Sequence, residues 1–236
     1  ANPDDITVAE PASDNIKKQE IVLDPSEVSE LPAAENFVIT DDQLGTGGPK
    51  AKFAMNMAAI AALKQIEAEK RTATPEEQQT LSRYVGWGGI PDAFDENKAD
   101  WEREYTELKT ALTPKEYVSA RASTLNAHYT SPVVINAIYA AISSMGSQCG
   151  NILEPSCGIG NFFGLLPENM KNSKLYGVEL DSISGRIARL LYPKAKIKVC
   201  GYEKTDYPNN FFDLAMGNVP FGQYKVNDPA YNKLGF

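Results

Sequence analysis

The chain holds one histidine, His128, in 236 residues, and three cysteines, Cys149, Cys157 and Cys200, none in a Cys-x-x-Cys pair. A single histidine argues against a zinc site or a Ser-His triad, so no metal is expected. The cysteines read as free thiols of a reducing, cytoplasmic compartment rather than a disulfide framework. No apolar run reaches the ~18 residues of a membrane span. The amino terminus is acidic and lacks the apolar core of a signal peptide. An excess of basic charge is also missing. The net charge of −8 speaks at first against a nucleic-acid partner. Its distribution removes that objection: residues 1–50 carry eleven acids and three lysines, and residues 51–236 carry twenty of each sign. A neutral body permits DNA binding without arguing for it.

Three regions follow from composition and pattern. Residues 1–46 are rich in Pro, Asp, Glu and Ser and read as an acidic, flexible linker or extension. Short apolar pieces in it, such as Ile21-Val22-Leu23, are able to dock on the body. The glycines at 45, 47 and 48 make a hinge. A phosphate loop is excluded there because no Gly-Lys-Ser/Thr follows. Residues 47–122 read as a helical domain, with helices from 52 to about 70, from Thr74-Pro75-Glu76-Glu77 to about 84, from 101 to 109 and from Thr113-Pro114 to 120. Gly86-Trp87-Gly88-Gly89 breaks the second of these, and Trp87 reads as a packing anchor ahead of a base-stacking platform.

From residue 123 the pattern alternates. A helix is expected from 132 to 143. Strands are expected at 151–154, 174–180, 196–200 and 212–217, with a helix from 182 to 192 between the second and third. Such alternation implies a parallel α/β sheet, whose ligands bind beyond the carboxyl ends of the strands.

Three expected strands end in informative residues. The first runs into Glu154-Pro155-Ser156-Cys157-Gly158-Ile159-Gly160, a Gly-x-Gly turn where glycine lets backbone approach a ligand. Glu179 ends the second strand about 20 residues on, where an acid for ribose hydroxyls belongs. The third glycine of a dinucleotide site is Phe163 instead, so no pyrophosphate cradle is evident. A nucleoside cofactor without phosphates, S-adenosylmethionine, fits better. The fourth strand ends in Asn218-Val219-Pro220-Phe221. There the Asn oxygen and the Val219 carbonyl accept the two N–H groups of a planar amine, and Phe221 offers a stacking face. Each element also has a plainer reading: a strand-to-helix turn for Gly158 and Gly160, a solvated or capping acid for Glu179, a surface acid for Glu154, an ordinary turn for 218–221. Asp181 suits the role of helix cap better than Glu179 does.

These motifs resemble those of amino-methylating DNA methyltransferases of the adenine-N6 type. Residues 154–162, 177–181 and 217–222 are similar to three of that family's motifs in family order. Ala127-His128-Tyr129-Thr130-Ser131-Pro132 is similar to the segment preceding them. The resemblance covers roughly residues 124–236 and implies a Rossmann-like methyltransferase sheet. It places Tyr129, Thr130, Glu154, Ser156, Cys157, Gly158, Gly160, Glu179 and Leu180 around S-adenosylmethionine, with Glu154 near its ammonium group and Leu180 on its adenine. It makes 218–221 the catalytic segment, acting on an adenine flipped out of DNA. Val219 stands where the family usually has proline, which keeps the carbonyl and loosens the turn. More narrowly, residues 47–94, with Thr74-Pro75-Glu76-Glu77-Gln78 and Tyr84-Val85-Gly86-Trp87-Gly88-Gly89-Ile90-Pro91, resemble large phage and conjugative-element proteins that join such a methylase to a helicase-type ATPase.

The sheet of such enzymes usually has seven strands, and four are legible here. The chain is therefore expected to be the first part of a methyltransferase domain, inactive alone, whose remainder belongs to a longer parent. A non-catalytic cofactor- or DNA-binding module and a protein-glutamine methyltransferase are the rival readings.

Overall fold

The computed structural model describes residues 34–41, 44–124 and 129–218. The apolar piece at 21–23, His128, Val219, Pro220 and Phe221 lie outside the described residues. The described elements run α1 Pro49–Ala68, α2 Pro75–Leu81, α3 Glu102–Ala111, α4 Pro114–Ser123 and α5 Pro132–Ser144, then β1 Asn151–Glu154, α6 Asn161–Gly164, β2 Lys174–Glu179, α7 Ser182–Leu191, β3 Lys196–Val199 and β4 Leu214–Ala215.

Helix starts follow the local chemistry of the sequence. Thr74 and Thr113 each close a reciprocal capping box with the glutamate three residues on, Glu77 and Glu116, and a proline occupies the first helical position after each. Asp181 caps α7 by accepting the Ser184 N–H at 2.9 Å, which frees Glu179 from that duty. α1 carries Phe53, Asn56, Ala59, Ile60, Leu63 and Ile66 on one buried stripe. Asn56 is the polar member of that stripe. It donates to the Gly86 carbonyl and accepts the Val85 N–H, at 2.6 and 2.8 Å, so it pins the Gly86-Trp87-Gly88-Gly89 turn to the helix. Arg186 on α7 bridges Glu67 of α1 and Glu116 of α4, and Lys64 reaches the same Glu116.

The sheet is parallel throughout with order β3-β2-β1-β4. The chain moves outward from β1 to β3 and then returns to the other side of β1. That reversal makes a topological switch point between β1 and β4, the place beyond the strands' carboxyl ends where open parallel sheets generally bind ligands. One face of the sheet packs into a core shared with the helices, from Phe53, Leu63, Trp87 and Trp101 to Ile152, Phe162, Ile187 and Ile197. On the other face Leu153, Tyr176 and Val178 meet Tyr207, Phe211 and Phe212, whose rings contact Tyr176 edge-on at 5.2–6.0 Å.

β4 differs from expectation. Its regular ladder spans two residues, not six, although backbone bonds to β1 continue at Asp213 and Met216. Phe211 and Phe212 turn onto the aromatic cluster instead of extending the strand. Among the described residues β4 pairs with β1 alone, so Ala215 stays exposed.

Residues 34–41 run extended across the body. Phe37 and Ile39 donate to the carbonyls of Leu191 and Gly164, and Ile39 is buried. A Cβ on Gly164 would stand 2.7 Å from Ile39, so that residue must lack a side chain. Among the described residues no helix is long and apolar enough to cross a membrane.

Candidate functional site

The turn after β1 needs its glycines. Gly158 and Gly160 adopt φ of 54° and 87°, the left-handed region that glycine enters without strain. A Cβ at Gly160 would lie 2.6 Å from the Tyr192 ring, and one at Gly158 would lie 3.0 Å from the Tyr129 ring. Gly160 is thus explained by packing as well as by conformation. Phe163, at the third-glycine position, is buried with its ring edge-on to Tyr192. The Cys157 N–H donates to the Val178 carbonyl at 3.0 Å and the Gly160 N–H to the Cys157 carbonyl at 2.7 Å, so the turn is laced to β2.

Glu179 completes that lacing. One carboxylate oxygen accepts the Gly158 N–H and the other the Asp181 N–H, both at 2.7 Å. Burial pushes its carboxyl above the ordinary range, while these two amides act in the opposite direction. Each oxygen keeps a further lone pair for a ligand hydroxyl.

Glu154 is not a surface acid. It is 3% exposed at the end of β1, and its Oε2 has no hydrogen-bond partner among the described residues. Burial first, and Glu179 second, push its carboxyl well above the usual range. A buried carboxylate without a cation is costly, so burial favours the neutral form of this group. A Cβ on Gly217 would lie 3.3 Å from Glu154 Cγ. The backbone leaving β4 therefore crosses Glu154, and Asn218 follows one residue later at the switch point.

The other predicted positions divide as follows. Leu180 is 75% exposed beside Glu179, an apolar side chain open to a ligand ring. Ser156 is half-buried in the turn and Cys157 is buried. Thr130 is half-buried ahead of α5, whose cap position is Ser131 without a side-chain cap bond. The Tyr129 hydroxyl meets Ser184 Oγ at 3.2 Å. Ser184 donates to Asp181, which also accepts from Ser119 of α4. Ser119, Ser184 and Asp181 were not foreseen as a cluster, since no sequence signal joins residues 62 apart. Val219, Pro220 and Phe221 fall outside the described residues, and Asn218 is exposed where the described segment ends.

Among the described residues no three His, Cys, Asp or Glu side chains group as a metal site. An open groove of about 800 Å³ runs between α1 and α3, lined by Phe53, Met57, Lys64 and Arg103 among others. No strand-end residue lines it.

No family model matches the chain. The chain is 28% identical over 169 residues to "Defense against restriction protein B" of Escherichia phage P1, a match covering 71% of this chain and 6% of that protein. It is 41% identical over 71 residues to "Type II methyltransferase M.CvrRI" of Paramecium bursaria Chlorella virus XZ-6E, covering 30% of this chain and 18% of that protein. The chain thus spans only a small part of either relative's length.

Proposed function

We propose that residues 129–218 form the cofactor-binding part of an S-adenosylmethionine-dependent methyltransferase, and that its substrate is the N6 amino group of adenine in DNA. One observation carries this reading. Two acids, Glu154 and Glu179, end adjacent parallel strands on either side of a left-handed glycine turn, and Glu154 Oε2 is buried without a partner among the described residues. A ligand that is cationic at one end and bears ribose hydroxyls at the other fits that pair. The similarity to a viral methyltransferase supports the same chemistry.

In this reading Glu154 takes the ammonium group, which restores its ionised form, and the free lone pairs of Glu179 accept ribose hydroxyls. Leu180 covers the adenine face of the cofactor. S-adenosylmethionine, when bound, supplies a methyl group activated on its sulfonium. Asn218 and the Val219 carbonyl hold the target amine so that its lone pair leaves conjugation and points at that methyl. Phe221 stacks on the flipped base. A new N–C bond forms as the S–C bond breaks, and the amine's surplus proton passes to solvent. The rate gain comes mostly from orientation. The target DNA, a longer parent with a helicase-type ATPase region, and a place in defence against restriction belong to the same proposal.

The test is transfer of tritiated methyl groups from S-adenosylmethionine by the full-length parent to DNA or to protein. Label on adenine N6 supports the reading. Label on glutamine side chains replaces the substrate, and label on neither leaves a binding module.

A further inference from the structure

Tyr84-Val85-Gly86-Trp87 lies in the helical region, about 70 residues before the glycine turn in sequence, and no step of the proposed chemistry uses it. Its two rings are nonetheless among the most buried side chains described, at 1% for Tyr84 and 0% for Trp87. They form a row of ring contacts, edge-on from Phe94 through Trp87 and Tyr84 to Tyr129 and tilted at Phe53, that ends at the candidate site. Phe53 of α1 and Phe94 contact Trp87, at 6.2 and 5.2 Å between centroids. Trp87 contacts Tyr84 at 6.3 Å, and Tyr84 contacts Tyr129 at 6.5 Å. Tyr129 in turn lies where a Cβ on Gly158 would come within 3.0 Å. The first ring is anchored in the α1 core and the last touches the turn. Edge-on rings have preferred geometry and resist sliding, unlike aliphatic contacts.

The base of the row is also pinned. Asn56 fixes the turn holding Trp87 through two hydrogen bonds to Val85 and Gly86. Trp87 Nε1 is buried without a hydrogen-bond partner among the described residues, and Tyr84 Oη is buried beside Ser184 and Trp87 without a hydrogen bond of normal geometry. The Tyr129 hydroxyl, by contrast, is fixed by Ser184.

We infer that Tyr84 and Trp87 are positioning residues for the glycine turn: their rings hold Tyr129 against Gly158 and so set the turn's shape and its affinity for ligand. The part concerning affinity rests on the proposed function; the part concerning the turn does not.

Amide hydrogen exchange and calorimetry with S-adenosylhomocysteine test this on the whole chain. The amides of Cys157, Gly158 and Gly160 are all hydrogen-bonded, so their exchange reports the turn. In Tyr84→Leu their exchange should rise about tenfold or more while Gly177 and Val178 stay protected. Affinity should fall about fivefold or more, a loss of at least about 1 kcal/mol. Tyr84→Phe keeps the ring and should stay within about twofold of the parent chain on both readouts. Unchanged exchange at the turn in Tyr84→Leu overturns the inference. Equal damage from Tyr84→Phe also overturns it, since the hydroxyl would then be the active part. An even rise over turn and sheet in both Tyr84→Leu and the milder Trp87→Phe overturns it as well, because the rings would then serve the core at large. If the parent chain binds no S-adenosylhomocysteine, the proposed function fails, and exchange at the turn alone decides the inference.

Discussion

Glu154 and Glu179 end neighbouring parallel strands, and they differ in one respect: both oxygens of Glu179 accept a backbone N–H, while Glu154 Oε2 accepts none among the described residues. One acid is built into the turn. The other is buried beside it with one oxygen unpaired among the described residues.

That difference sets a pH dependence. Burial and Glu179 raise the Glu154 carboxyl in the folded chain. A raised carboxyl stabilises the fold below its unfolded value, and that contribution is lost as pH rises through the folded value. Binding of a cation reverses the preference and releases a proton. Affinity for S-adenosylmethionine should therefore rise as pH climbs from the ordinary carboxylate range. Calorimetry in buffers of different ionisation enthalpy should show proton release, and Glu154→Gln should abolish it. Proton uptake on binding would contradict the assignment.

Glu179→Gln should weaken binding of S-adenosylhomocysteine. An amide offers one acceptor oxygen where the native carboxylate serves two amides, so one N–H of Gly158 or Asp181 is left facing a donor. An unsatisfied buried donor costs about 1–3 kcal/mol. Calorimetry and thermal melting should both register the change, and a variant with native affinity would remove Glu179 from the site.

The strand ends were legible because they depend on near neighbours in sequence. An apolar run stopping at Glu154, two glycines, and an acid about 20 residues on specify a turn and its register. Asp181 as cap was legible for the same reason. The burial of Glu154 was not, because it depends on the backbone of Gly217 crossing from a strand 60 residues away. The row from Trp87 to Tyr129 was illegible too: only packing of the helical region on the sheet brings those rings together. The expected fourth strand began too early, since Phe212 has strand propensity but packs its ring on Tyr176.

Asn218→Ala in the full-length parent should abolish methyl transfer and spare cofactor binding, because the proposed function gives Asn218 the target amine and not the cofactor. Parallel measurements of tritium transfer and calorimetry check this. Retained turnover, or lost cofactor binding, would each contradict its role.

Glu116→Gln should cost about 2 kcal/mol, the scale of charged hydrogen bonds. Burial opposes the Glu116 charge, but Arg186, the Thr113 amide and Lys64 hold its carboxyl down at about 2. The stabilisation is present above the ordinary carboxylate value and is lost as pH falls through the folded value. Denaturant melts should show the parent chain losing stability below about pH 4, and the variant losing less over the same interval. Parallel pH profiles would contradict this.

Gly160→Ala should destabilise the fold by about 3 kcal/mol, from left-handed strain together with overpacking against Tyr192. Thermal melting measures it. A neutral result would mean that Tyr192 yields more readily than its full burial implies.

The account's central claim is that a nucleoside ligand binds at the carboxyl ends of β1 and β2. Titration of S-adenosylhomocysteine into isotope-labelled chain, read amide by amide, tests it most directly. The account predicts saturable shifts at Gly158, Gly160, Glu179 and Leu180 that weaken together in Glu179→Gln. Saturable shifts confined to the groove between α1 and α3, or none at all, would contradict it.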